Sequence, residues 1–395
     1  MKYRLSEIAQ KCGGRVVGRD VTVGGIVTDS RSCAFAGDAM FVAMRGDNHD
    51  SHDYIKDMLR RGVTAFMVER EEAAAIIGQD AGCVVVENSL VALQTLAAAH
   101  RESFKGCVVG ITGSNGKTVV KEWVARSLPT DVKFFASPMS YNSQLGVALS
   151  LLMIQGDEQV AFIEAGISQC GEMERLERMI QPDVVVMTSI GDAHQSNFDS
   201  LEQKINEKLI LARDAQTFIY HSAYEQITGA IEGTLPAGCR VLDASKESVD
   251  SLKAGGEAIR IDGQLVKTLC RELGFGEVTP RQEDVAMRLE VKEGINSSTI
   301  INDTYNSDIN SLALALDTLQ SVALGAPTTA VVSDIEQSGM PDEELYERVA
   351  VLAQRAKVDM LIGVGERIRS MMFAVAKVLQ LYGCPKKRSN FTNYL

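Results

Sequence analysis

Apolar runs of four to six residues alternate with helical stretches of about a dozen, a pattern that predicts an α/β protein built on a parallel sheet covered on both faces. One such run, Gly106-Cys107-Val108-Val109-Gly110-Ile111-Thr112, leads directly into a glycine-bearing loop that ends in Gly116-Lys117-Thr118. The 395 residues are 45% apolar and 23% charged, enough to build two or three cores. Only 8 are proline, and no Ser/Gly/Pro tract resembles a long linker, so the domains are expected to be closely joined.

Three zones separate in order. The first, residues 1–104, carries short strands at 24–27, 39–43, 64–68 and 83–86 and closes with an Ala-rich helix over 90–101. Two polar clusters follow its strands, Thr28-Asp29-Ser30-Arg31 and the segment 45–53. The second zone, 105–284, opens with the run at 106–112. Its strand 159–163 ends at Glu164, and its strand 183–188 ends near Gly191-Asp192-Ala193-His194. The helix after the glycine loop is expected from about Val119. The third zone, 285–395, repeats the alternation with strands at 298–301, 328–332 and 359–363 and helices at 309–322 and 342–356. A basic tail from Lys386 reads as a solvated terminus.

Composition excludes several classes. The formal charge is 40 − 52 = −12, which argues against a broad phosphate-tracking surface and hence against a nucleic-acid partner. No apolar run reaches the roughly 18 residues of a membrane span, so no membrane insertion is expected. The start, Met1-Lys2-Tyr3-Arg4, has no apolar stretch behind it and is not a secretory signal. The 8 cysteines are scattered singly, and reduced, mostly buried thiols are the expectation. The chain is expected to be cytoplasmic.

The sharpest chemical signal is Thr112-Gly113-Ser114-Asn115-Gly116-Lys117-Thr118 between a buried strand and a helix. Glycines let backbone N–H groups turn toward a phosphate, and the helix N-terminus favours an anion. Lys117 reaches the terminal phosphates, and the Thr118 hydroxyl suits Mg²⁺. The usual spacing places four residues between the first glycine and Gly-Lys. Here Gly110 falls one residue early. Glu164, at the ligand-binding edge of the same sheet, could hold Mg²⁺ beside the phosphates or act as a capping or ion-paired carboxylate.

This variant loop resembles the ATP loop of the Mur ligases and their folylpolyglutamate synthetase relatives. The resemblance continues in Ser140-Tyr141-Asn142-Ser143-Gln144-Leu145-Gly146, in Phe162-Ile163-Glu164-Ala165-Gly166 and in Ile300-Ile301-Asn302-Asp303-Thr304-Tyr305-Asn306. It is closest to the branch that adds D-alanyl-D-alanine, in particular to the ligase half of the fused ligase–alanine racemase proteins, and it runs to about Gly365. It implies a three-domain architecture: a uridine-nucleotide domain, a central ATP-binding domain and a Rossmann-like third domain. By the same resemblance, His194 would hold a second metal ion and Lys208 would be carbamylated to bridge Mg²⁺. Lys204 competes for that role, and His194 or Lys208 could instead be a structural or solvated side chain. Asn142 and Ser143 resemble substrate contacts, or else cap a loop. Asn302, Asp303, Tyr305 and Asn306 would face adenosine and the incoming amine, and Arg288 would touch the nucleotide. Ser30 and Arg31 fall where the family binds uridine diphosphate, and an arginine fork suits phosphate. A plain surface turn is the alternative.

The implied reaction is ATP- and Mg²⁺-dependent amide formation between UDP-N-acetylmuramoyl-tripeptide and D-alanyl-D-alanine through an acyl phosphate, by a monomer. Two rivals stay open: a catalytically weak nucleotide-binding homologue, and a sister ligase that adds a single amino acid. The family's Lys-Gly-Ser-Arg segment and the racemase half have no counterpart here, so the third domain is expected to be shortened.

Overall fold

The computed structural model describes residues 1–31, 37–46, 49–79, 81–191, 193–249, 257–280, 289–305, 308–336 and 338–369. The boundary near 284, the basic tail and the expected shortening of the third domain fall outside those residues, as do Arg288 and Asn306.

The first sheet has five strands in the order Arg15–Gly18, Gly82–Val85, Ala65–Val68, Ala39–Val42, Gly25–Val27. Its first pair is antiparallel and the rest are parallel. Side chains alternate across it as the period of a strand demands. Met40, Val42 and Met67 face one core with Leu5, Ile8 and Leu93, while Phe41, Phe66 and Val68 face another with Ile55, Met58 and Ala73. The antiparallel edge strand Arg15–Gly18 went unpredicted because its side chains are only half-buried or exposed, which shortens the apolar run.

The central sheet is six-stranded and parallel, ordered Arg240–Asp243, Thr217–Tyr220, Val184–Met187, Cys107–Thr112, Val160–Glu164, Phe134–Ala136. Val109, Ile111, Phe162 and Val186 pack against the helices Lys117–Ser127 and Glu257–Glu272. Val108, Ala161, Ile163 and Val185 face the helices Gln144–Met153, Glu172–Ile180 and Leu201–Leu209. That second core also takes in Leu93, Leu96 and Ala97 of the helix Ser89–Ser103, so apolar packing runs unbroken from the first sheet to the central one.

The third lobe begins with an antiparallel hairpin, Glu290–Glu293 with Thr299–Asn302. A parallel pair follows, Thr329–Ser333 with Met360–Val364, backed by the helices Ile309–Ala323 and Asp342–Arg355. Ile309, Leu316, Val332, Leu345, Tyr346, Val349 and Ile368 form its core.

Two expectations need correction. The helix after the glycine loop begins at Lys117 rather than near Val119, since its polar first turn lies in the site and breaks the apolar pattern. Of the described cysteines, all are free but only Cys83 and Cys270 are buried, and Cys170 is exposed. Among the described residues, no helix is long and apolar enough to cross a membrane.

Candidate active site

The strand Cys107–Thr112 lies in the middle of the central sheet and delivers its loop to the sheet's C-terminal edge. Gly113 has φ +137°, and a Cβ there would lie 2.1 Å from Thr188 Oγ1, so only glycine fits. The neighbouring strand end shapes the loop. Ser114 N donates to Ser189 O at 2.9 Å, and Asn115 N donates to Ser189 Oγ at 2.9 Å. Gly191 N donates to Ser114 Oγ at 3.0 Å. Thr112 is fully buried, and its carbonyl accepts from Thr188 N and Oγ1. Gly116, in the left-handed region, caps the helix Lys117–Ser127. Lys117 Nζ folds back onto Gly113 O (2.7 Å) and Ser114 O (2.9 Å).

Beside the loop, Glu164 is fully buried at the end of its strand. Its Oε2 accepts from Thr118 Oγ1 at 3.1 Å and from Asn142 Nδ2 at 3.4 Å. Its Oε1 accepts no hydrogen bond among the described residues and faces Lys121 Nζ at 3.1 Å. Glu164 is thus ion-paired, and its capping alternative gives way to that reading. Ser143 is the N-cap of the helix Gln144–Met153, its Oγ accepting from Gly146 N.

Lys208 is 3% exposed, which removes the solvated-charge alternative, and its Nζ donates to Gly113 O at 3.2 Å. Burial first, then the charges of Lys117 and Lys204, push this ammonium well below the usual lysine range. Lys204 is equally buried but is taken up by the carbonyls of Gly191 and Ala193 and by Gln195 Oε1. His194, half-buried with φ +58°, opens the short turn Gln195–Asn197 on the same strand exit.

A cavity of about 320 Å³ lies between the loop and the third lobe. Ser114 to Thr118 form its floor, while Trp123, Tyr224, Ile259 and Asp262 wall one side and Asp303, Asn310, Ser311 and Leu314 the other. The lobes touch where Asn115 Nδ2 donates to Asp308 Oδ1 at 3.4 Å, with Asp308 also capping the helix Ile309–Ala323. The Asp262 carboxyl lines the cavity yet is deeply surrounded by protein, and burial raises it well above the carboxylate range. Burial, aided by Asp262, pushes the Tyr224 hydroxyl up to about 12. Sequence reading missed Trp123, Tyr224, Asp262, Asn310 and Ser311. None belongs to a local motif, and only tertiary packing brings them together.

Other expected residues stand elsewhere. Asn302 turns into its hairpin, bonded to Glu290 Oε2 and Thr304 Oγ1, and does not line the cavity. Tyr305 is 42% exposed. Ser30 and Arg31 lie on a surface turn. The Arg31 side chain, 89% exposed, forks onto Asp29 and holds that carboxyl down at about 2, while Ser30 O accepts from Arg61. Both alternatives for Arg31 survive this geometry.

The donor set fits a small hard cation. Among the described residues no group of three His, Cys, Asp or Glu gathers, so there is no all-protein cage. Mg²⁺ characteristically takes one or two protein oxygens plus phosphates and water, and Thr118 Oγ1 with Glu164 Oε2 would supply such a pair.

Residues 111–268 match the Mur ligase middle domain family. The UDP-N-acetylmuramoyl-tripeptide–D-alanyl-D-alanine ligase of Bacillus subtilis is 24% identical across 93% of this chain and 86% of its own length. The central segment of this chain therefore carries a Mur ligase middle domain. The Treponema pallidum protein of the same name is 26% identical over 83% of this chain and 78% of its own. A crystal structure of MurF from Acinetobacter baumannii superposes with a TM-score of 0.78 at 19% identity, covering 97% of this chain and 93% of that one. The MurF ligase of Thermotoga maritima, solved in complex with ADP, gives 0.69 at 22% identity and covers 91% and 98%. The three-domain α/β fold expected from the sequence is therefore the fold of these solved structures.

Proposed function

We infer that this chain is a Mur ligase that joins D-alanyl-D-alanine to UDP-N-acetylmuramoyl-tripeptide, with cleavage of ATP to ADP and phosphate, in peptidoglycan precursor synthesis in the cytoplasm. The observation that carries the chemistry is the convergence of Lys117, Thr118, Glu164 and the buried Lys208 on one loop at the edge of a parallel sheet. The D-alanyl-D-alanine specificity follows the relatives named above. We assign residues 1–104 to the uridine-nucleotide domain, 105–284 to ATP and 285–395 to the amine side.

In this reading, backbone N–H groups at the start of the helix Lys117–Ser127 receive the ATP phosphates, and Lys117 leaves its own loop carbonyls to reach them. Trp123 and Tyr224 offer flat apolar walls for the base. The tripeptide carboxylate attacks the γ-phosphate, giving an acyl phosphate and ADP. The dipeptide amine then attacks the acyl carbon, and the tetrahedral intermediate collapses with loss of phosphate. Mg²⁺ at Thr118 and Glu164, and a second ion toward His194, would neutralise charge on the transferring phosphoryl group. Lys208, whose burial favours the neutral amine, is suited to form a carbamate, turning a cation beside Lys117 and Lys204 into an anion. Asp303 and Tyr305 are the candidates for holding the amine, Asn142 and Ser143 for the peptide, and Ser30 and Arg31 for the uridine diphosphate. Asn302, Asn306 and Arg288 remain assigned to the nucleotide side.

Incubation with UDP-N-acetylmuramoyl-tripeptide, D-alanyl-D-alanine and Mg-ATP tests this directly. Phosphate release that requires both acceptor and dipeptide is the expected result. Nucleotide binding without turnover would establish the binding-only homologue, and preference for a single amino acid over the dipeptide would establish the sister ligase.

A further inference from the structure

Lys121 is fully buried, yet none of the loop chemistry above uses it. It lies one helical turn beyond Lys117, on the face of the helix turned into the protein. Its Nζ donates to Ser137 O at 2.6 Å and to Met139 O at 2.5 Å. It also faces two carboxylates, Glu164 Oε1 at 3.1 Å and Glu122 Oε1 at 3.2 Å. A buried ammonium is costly unless its protons are met by oxygens, and here all its partners are supplied by the fold.

These contacts divide the labour of the Glu164 carboxylate. The inner oxygen, Oε1, is held by Lys121, while the outer one, Oε2, turns to Thr118 Oγ1 and Asn142 Nδ2. The same ammonium anchors the carbonyls of Ser137 and Met139. That sets the start of the segment that brings Ser140 Oγ to 3.0 Å from Thr118 Oγ1 and Asn142 to Glu164. A cation arriving at the phosphate loop therefore meets one carboxylate oxygen and not two. Mg²⁺ accepts this arrangement, since it favours octahedral sites with single oxygens. Ca²⁺ takes more ligands at longer distances and often chelates a carboxylate through both oxygens. Chelation at Glu164 would have to draw Oε1 away from a buried ammonium.

We propose that Lys121 is a positioning residue that holds Glu164 as a one-oxygen ligand and so sets the preference of the phosphate loop for Mg²⁺ over Ca²⁺. The proposal rests on the reading of Glu164 as a cation ligand. The test measures direct binding of each cation by calorimetry, with the full chain and a non-hydrolysable ATP analogue present. Lys121→Met should lower the Mg²⁺-to-Ca²⁺ affinity ratio about tenfold or more, the scale on which residues behind metal ligands act. Glu164→Gln, measured alongside, separates the two layers. If it leaves cation binding unchanged, the ligand assignment itself falls. If it weakens binding while Lys121→Met keeps the wild-type ratio, the Lys121 proposal alone is overturned. Should Lys121→Met show no cooperative thermal melt, Lys121→Arg takes its place. A guanidinium forks onto both carboxylate oxygens and would block Oε2, so Mg²⁺ affinity should drop about tenfold. Unchanged affinity in that variant overturns the proposal.

Discussion

Every residue of the strands Val160–Glu164 and Val184–Met187 is buried, whereas Val331, Ile362 and Val364 of the third lobe's parallel pair are exposed. The central sheet has helices on both faces. The described helices of the third lobe form a single core on one side of its strand pair. The phosphate loop is accordingly fixed by hydrogen bonds from a neighbouring strand, while the opposite wall of the cavity leans on it through Asn115 and Asp308. One side of the site is fixed within the central sheet, and the other is presented to it by the third lobe. Substitutions on the first side should strike the chemical step, and those on the second should strike capture of the amine.

The largest effect belongs to the side fixed within the central sheet. Lys117→Ala or Glu164→Gln should cut the rate of phosphate release by about 10³-fold or more, the scale of losing a phosphoryl-stabilising group. A rate within tenfold of wild type would break the contrast. Lys208→Ala should cost about 10²-fold, and wild-type activity should fall in bicarbonate-depleted buffer. Unchanged activity in the variant would count directly against a carbamate. Across the cavity, Asp303→Ala should raise the KM for the dipeptide about tenfold while kcat stays within about threefold, the signature of lost uniform binding. A kcat defect with unchanged KM would place Asp303 with the chemistry instead.

The smallest effect concerns stability. Asp262 has a raised folded-state pKa, so the folded protein holds this proton more tightly than the unfolded chain. Its protonated form costs nothing below the unfolded value of about 3.9, and stability declines as pH rises from there through the folded pKa. Asp262→Asn should therefore stabilise the protein at pH 8, with the gain fading toward pH 4. Denaturant melts across that range check it, and a pH-independent difference would show that the carboxyl is not buried as an acid.

How much of this was legible follows from where each signal lies. Parallel strands covered on both faces give uninterrupted apolar runs, so the central sheet could be read from 106–112, 159–164 and 183–188. The strand Glu290–Glu293 is charged and exposed and left no such run. The phosphate loop is local in sequence and was readable residue by residue. Trp123, Tyr224 and Asp262 come from three separate segments and become neighbours only in the folded chain. Lys121 illustrates the hardest case. A lysine one turn into a helix reads as solvated, and only complete burial against Glu164 reveals otherwise. Asn302 is a motif residue whose amide is bonded within its hairpin, which the sequence does not reveal.

The hydrogen bonds between Ser114, Asn115 and the segment Thr188 to Gly191 join positions 74 residues apart in the case of Asn115 and Ser189. The nucleotide loop therefore has a mould, and the mould is a different stretch of chain. A graft of residues 110–118 into another parallel sheet would transfer the letters of the loop without its shape. The smallest transplantable unit is the pair of adjacent strands with both of their exits. Inherited variation in either exit should then be tolerated only when the other accommodates it.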